Sequence, residues 1–142
     1  MHIDDFSERL VIRLPLTDAV GVIFYGRIFE LEQELFERWL ELGGMELHEM
    51  LSGALTPTPI VHCSADFRLA VRAGDRLMVR ISRVEIGKSS YSLEWTFTLD
   101  AQVVMSATVK RVGIDVASRN SVTLPEKLRA WITHTQQGVT AK

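Results

Sequence analysis

The chain has 142 residues, 46% of them hydrophobic, and 16 basic against 18 acidic residues give a net charge of -2. That length supports one domain with a real core and not two, no basic run interleaved with aromatics marks a nucleic-acid footprint, and no apolar run approaches the roughly 18 residues of a membrane span. A single cysteine precludes an internal disulfide, and His2, His48, His62 and His134 match no metal-ligand spacing, so neither a disulfide framework nor a metal motif is expected.

The N-terminus MHIDDFSERL is too polar and acidic for a signal or transit peptide, which predicts a cytoplasmic protein. One domain is expected over 1–142, with its core at about 8–132, a loose start over the first six residues and a flexible tail over 135–142. Leu10, Ile12, Leu14 and Leu16 alternate with Arg9, Val11, Arg13 and Pro15, the period of a strand. Next comes TDAVGVIFYG, residues 17–26, whose lone acid Asp18 stands among apolar residues and glycines. Ile28, Leu31, Leu35, Trp39 and Leu42 then recur at helical spacing, widened by Phe36 and Leu40, and Gly43-Gly44 supply a stop. Glu30, Glu32, Glu34, Glu37 and Glu41 fall on the solvated face of that helix, with Glu34 the candidate for partial burial.

From Pro59 the period changes. Val61, Cys63, Ala65, Phe67, Leu69 and Val71 share one strand face, which points Cys63 into the core as inert packing. A turn at Ala73-Gly74-Asp75 leads to Leu77, Val79 and Ile81, and the shift to Val84 and Ile86 predicts a bulge. Gly87-Lys88 turns into the cleanest alternation, Tyr91, Leu93, Trp95, Phe97 and Leu99. Asp100-Ala101-Gln102 then turns into Val103, Met105, Ala107 and Val109, with a second slip expected at Val112 and Ile114. LPEKLRAWI, with Pro125 at a first helical position, predicts a short C-terminal helix. The order is strand, long helix, four strands in a meander and a small helix: an α+β domain whose antiparallel sheet has one face covered by the helix. A second subunit is expected to cover part of the other face.

Three stretches carry candidate chemistry. An acid between a strand and a helix is most often an Asx-turn or a solvated loop residue. Beside Gly21 and the unpaired amides of a helix start near Tyr25 and Gly26, however, Asp18 could also attack, or activate water against, a thioester or ester carbonyl. In TPTPIVHCSADF the prolines make a rigid entry to a strand, and Thr58 and His62 could line a pocket; His62 and Asp66, about 13 Å apart along a strand, cannot pair. GKSSY is a turn whose Lys88 and amides could hold a phosphate, or could simply be solvated. No GxSxG, Walker or GxGxxG motif occurs.

Together, TDAVGVIFYG, TPIVHCSADF, AGDRL and GKSSY resemble the hotdog-fold thioesterases of the 4-hydroxybenzoyl-CoA thioesterase type. The nearest likeness is to the branch acting on 1,4-dihydroxy-2-naphthoyl-CoA in quinone biosynthesis. The resemblance spans about residues 8–132. It implies a five-stranded antiparallel sheet wrapped around a long central helix, paired as a homodimer and as a dimer of dimers, with active sites between subunits. It implies hydrolysis of an acyl-CoA with no metal or other cofactor, coenzyme A being part of the substrate. By position, Asp18 matches the catalytic carboxylate and Tyr25 the amide that polarises the thioester carbonyl. Gly21, Phe24, Thr58 and His62 match substrate-lining positions, and Lys88, Ser89 and Ser90 match those holding the CoA phosphates and pantetheine. His62 is shared with the naphthoyl branch and not the benzoyl one. Two departures stand out: Leu16 replaces a second acid that many members carry, and Arg27 replaces a common asparagine. A carrier-protein thioesterase and a non-catalytic acyl-CoA-binding subunit are the alternative readings.

Overall fold

The computed structural model describes residues 6–140. In chain order these form β1 (Ser7–Val11), α1 (Arg27–Leu42), α2 (Leu47–Leu51), β2 (Ile60–Phe67), β3 (Arg76–Ile86), β4 (Ser90–Leu99), β5 (Gln102–Val112) and α3 (Glu126–Thr140). The five strands make one antiparallel sheet in the order β1-β3-β4-β5-β2. Only β3, β4 and β5 form a meander, so the expected four-strand meander is corrected. Strand β2 crosses to the far edge beside β5, because the link after it, 68–75, is held elsewhere. There Ile23 N–H donates to Val71 O, Ala73 N–H to Gly21 O and Ile12 N–H to Asp75 O, which staples the link to the TDAVGVIFYG stretch and the end of β1.

The sheet curls around α1 as its apolar stripe dictates. Ile28, Leu31, Leu35, Phe36, Trp39 and Leu40 are buried against Tyr91, Leu93, Trp95 and Phe97 of β4, and Leu42 alone of the expected stripe is exposed. Each such side chain contributes about 1.5–3 kcal/mol on leaving water. Residues 1–5 of the expected loose start lie outside the described residues. Phe6 is packed edge-on to Trp95 at 5.4 Å between ring centroids.

Several boundaries depart from the sequence reading. The first strand ends at Val11, because Pro15 starts a one-turn 3-10 helix over Leu14–Leu16 that leaves Leu14 exposed. The bulge of β3 falls between Ile81 and Arg83, as expected. That of β5 falls at its start, opposite Phe97 and Thr98, and not at Val112. Inward phase persists from Met105 through Ala107 and Val109 to Arg111, whose charge disguised it. Gly44 supplies the left-handed stop after α1, with φ +78, whereas Gly43 is needed for room: a Cβ there would meet the Trp131 ring at 2.5 Å. Helix α2 went unread; its signal is a capping box between Glu46 and Glu49. Helix α3 runs on to Thr140, taking in residues 135–140 of the expected tail. It is fastened by Trp131 Nε1 to Trp39 O (2.9 Å), by Lys127 Nζ to Gly44 O (2.7 Å) and by Gln136 Nε2 to Val84 O (3.1 Å).

Glu32, read as solvated, is the buried acid of α1, while Glu34 is exposed. Its carboxylate accepts both guanidinium nitrogens of Arg111, at 2.8 and 3.0 Å, and the Trp95 indole N–H at 2.8 Å. The two side chains are 1% and 2% exposed, and the guanidinium carbon lies 3.5 Å from the centre of the Phe36 ring. This fork fixes the rotation of α1 over β5. Removing one partner leaves the other charged and dry, at a cost of about 3–5 kcal/mol. Arg111→Met is therefore expected to lower the unfolding free energy by about that amount in urea titration. Adding Glu32→Leu should restore much of the loss, because no charge is then left unpaired.

Candidate active site

The TDAVGVIFYG stretch is built as a tight loop between two backbone anchors. After the 3-10 turn, Thr17 bridges Ile23, and inside that bridge Asp18 N–H donates to Val22 O (2.8 Å) and Gly21 N–H to Asp18 O (3.0 Å). Gly21 has φ +78 with open space around it, so the backbone angle alone demands glycine. Oδ1 of Asp18 accepts the amides of Val20 (2.9 Å) and, at a longer 3.3 Å, Val22. Asp18 thus does make the Asx-turn that its sequence position suggested, and it is exposed with Oδ2 unclaimed among the described residues.

The next residues open α1. Phe24 N–H donates to Leu16 O (2.9 Å) and Arg27 N–H to Phe24 O (2.9 Å), while no acceptor meets the Tyr25 amide among the described residues. Such unpaired donors at a helix start are suited to an oxyanion. Phe24 and Tyr25 lie on the surface with ring centroids 4.8 Å apart. Arg27, the departure from the asparagine pattern, is ion-paired to Glu30.

The other expected residues gather at the opposite end of the sheet. Thr58 is buried, with its hydroxyl 2.8 Å from that of Tyr91. On either side of it, Pro57 O and Pro59 O accept the amides of Ile114 and Val112, and Gly113 N–H in turn reaches Ser89 O at 2.8 Å. Thr58, Ser89 and Ser90 are so brought around residues 112–114. His62 lies on exposed β2 opposite Lys110. Cys63 is exposed too, which corrects its expected burial: β2 lies outside the cover of α1, and its Ile60, Val61 and Phe67 are 48%, 57% and 43% exposed. In β3, an eleven-residue strand, about 3.3 Å per residue separates this end from the Asp18 end. One chain does not bring Asp18 and Lys88 together.

Two open grooves, of about 410 and 660 Å³, run along β1 and contain none of the expected site residues. Among the described residues no group of three or more His, Cys, Asp or Glu side chains is placed to hold a metal ion, and no helix is long and apolar enough to cross a membrane.

The thioesterase-like superfamily matches over residues 15–132, which takes in the Asp18 loop, strands β2 to β5 and most of the α3 anchor points. The chain belongs to that superfamily. A 1,4-dihydroxy-2-naphthoyl-CoA hydrolase from Prochlorococcus marinus is 33% identical over 86% of this chain and 83% of its own length. One from Nostoc punctiforme is 28% identical, covering 89% and 86%. The solved structure of a 1,4-dihydroxy-2-naphthoyl-CoA thioesterase from Synechocystis superposes with a TM-score of 0.84 over 91% of this chain and 96% of that one, at 24% identity. The hotdog architecture of this thioesterase-like superfamily member, a five-stranded sheet around one long helix, is the one its motifs implied.

Sequence reasoning missed two residues that organise this end of the superfamily fold, Tyr91 and Arg129. Tyr91 was read as plain core. Burial pushes its hydroxyl up to about 12, against the opposing pulls of the Thr58 hydrogen bond and the Arg111 charge. The folded chain therefore holds this proton more tightly than the unfolded chain, where the group titrates near 10.0. Its stabilising contribution is complete below pH 10 and is lost as the pH rises through 12. Urea titrations between those pH values should show the unfolding free energy of the wild type falling about 2–3 kcal/mol further than that of Tyr91→Phe.

Proposed function

We propose that this chain hydrolyses an aromatic acyl-CoA thioester, of the 1,4-dihydroxy-2-naphthoyl or hydroxybenzoyl kind, to the free acid and CoA, without a metal or redox cofactor. The reading rests on the superfamily, on the names its relatives carry, and on one observation of this chain. That observation is an exposed acid, with one free carboxylate oxygen, seven residues before an unpaired amide at the entry to α1, on a loop fixed by its own hydrogen bonds. The loop does not have to reorganise for reaction, which is the condition under which such donors lower a barrier.

In the proposed reaction the thioester carbonyl oxygen lies on the Tyr25 amide, and the free oxygen of Asp18 either attacks the carbonyl carbon or removes a proton from the attacking water. Collapse of the tetrahedral adduct expels CoA as a thiolate, which takes up a proton. Should Asp18 attack directly, water then opens the resulting anhydride. Either route consumes one water and yields acid and CoA.

The site is completed by a second protomer. Strand β2 is bonded on one side only, to β5, and its Ile60, Val61 and Phe67 are exposed. An open edge of that kind is suited to pairing with another strand. A two-fold antiparallel pairing of β2 with its copy places the Asp18 end of one protomer beside the GKSSY end of the other. His62, on the paired strand, then borders the acyl group, and Lys88, Ser89 and Ser90 hold the CoA phosphates and pantetheine. Thr58 acts through Tyr91, since its hydroxyl is already engaged there.

Asp18→Asn should keep the far-ultraviolet spectrum and oligomeric mass of the wild type and lose at least about a thousandfold in kcat/KM on aromatic CoA esters. Unchanged turnover in that variant would remove the acid from the reaction. A panel of aryl-CoA, alkyl-CoA and carrier-protein thioesters assayed alongside identifies the acyl group and the carrier.

A further inference from the structure

We propose that Arg129 of α3 is the positioning residue that holds the GKSSY turn in a phosphate-accepting conformation. The inference rests on the proposed reading of that turn as the CoA phosphate site, and goes beyond it by naming what shapes the site. An exposed hairpin turn carrying a lysine and two serines has no reason of its own to hold one orientation. Here its carbonyls are all claimed from within the protein. One guanidinium nitrogen of Arg129 donates to both Gly87 O (2.9 Å) and Lys88 O (2.7 Å). Leu124 N–H adds a second bond to Lys88 O at 3.1 Å, and Gly113 N–H takes Ser89 O at 2.8 Å.

In a trans peptide the C=O and the following N–H point in opposite directions. Drawing Gly87 O and Lys88 O toward Arg129 therefore turns the Lys88 and Ser89 amides away from it, on the same side of the turn. Neither amide has a backbone acceptor among the described residues. Two adjacent N–H groups pointing together form the concavity that receives an anion, and the Lys88 side chain adds a cation beside it. Helix α3 is a firm base for such a clamp, because Lys127, Trp131 and Gln136 fix it to Gly44, Trp39 and Val84. Met at 129 keeps much of the volume and loses both bonds; Lys keeps the charge and can reach one or both carbonyls.

The test uses the full-length protein, free CoA for calorimetric binding, and two substrates, benzoyl-CoA and S-benzoyl-N-acetylcysteamine, the second lacking every phosphate. Arg129→Met is expected to weaken CoA binding and raise KM for benzoyl-CoA by about tenfold, with kcat and the KM of the truncated substrate unmoved. Arg129→Lys should recover most of that loss. If Arg129→Met binds CoA as the wild type does, or if it impairs both substrates equally, the clamp is refuted while the hydrolase reading stands. A wild type that neither binds CoA nor hydrolyses benzoyl-CoA in preference to the truncated ester would overturn the reading of the turn, and the clamp with it. If Arg129→Met fails to fold, Arg129→Gln, which is too short to hold both carbonyls, takes its place, and a loss in that variant that falls equally on both substrates, or no loss of CoA binding, refutes the clamp in the same way.

Discussion

A β-strand cannot be shortened, and in this chain that rigidity sets the terms for everything functional. Strands β3 and β4 run the length of the sheet, with the loop of Asp18 at one end and the turn of Lys88 at the other. Both ends are fixed by backbone hydrogen bonds, so neither can travel to meet the other. Any reaction that draws on both must take them from two copies. The β2 edge of the sheet is unpaired and its strand carries exposed apolar side chains, and a two-fold axis through that edge would invert the direction of the strands and bring unlike ends together. Dimerisation and catalysis thus become one requirement in the proposed enzyme.

Rigid ends need a rigid middle. The bidentate pair of Glu32 and Arg111, shared with the Trp95 indole and stacked on Phe36, joins α1 to β5 with every buried side-chain polar atom among the described residues satisfied. A fully apolar seam could bury as much surface, yet it would tolerate small rotations of α1 that a directional fork does not. That matters because the Tyr25 amide lies in the turn that opens α1, two residues before its first residue: a helix that turned would move the donor relative to Asp18. The hydroxyl pair of Thr58 and Tyr91 lies near the same arginine, and α3 closes the assembly by capping the end of α1 and gripping the GKSSY turn. Charge, helix rotation and turn geometry are in this way one connected network.

Much of this was legible in the residues. The alternation in β4 and the helical stripe from Ile28 to Leu40 are strong because each has one fully buried face, and periodicity reports burial directly. Where burial is absent the signal misleads. Strand β2 alternates as if half buried, but within the chain both of its faces are exposed and only Ala65 is partly buried, so its period wrongly implies an inward Cys63. Charged core residues defeat pattern reading for the opposite reason: Glu32 and Arg111 score as surface, and each is buried only because the other is there. The order of the strands was hidden for a third reason, since a link stapled to residues 21–23 is indistinguishable in sequence from a hairpin. At the site, motif resemblance pointed to the two ends, but Arg129 carries no local signal, its partners being carbonyls some forty positions away.

The claim that the reacting parts come from different protomers is open to a direct complementation measurement. Asp18→Asn and Lys88→Glu proteins, each inactive at limiting CoA ester, are mixed by joint refolding and assayed. A shared site predicts recovered hydrolysis, up to about a quarter of the wild-type rate, because each mixed dimer holds one site with both residues intact. Activity no greater than the sum of the two separate proteins would contradict the account.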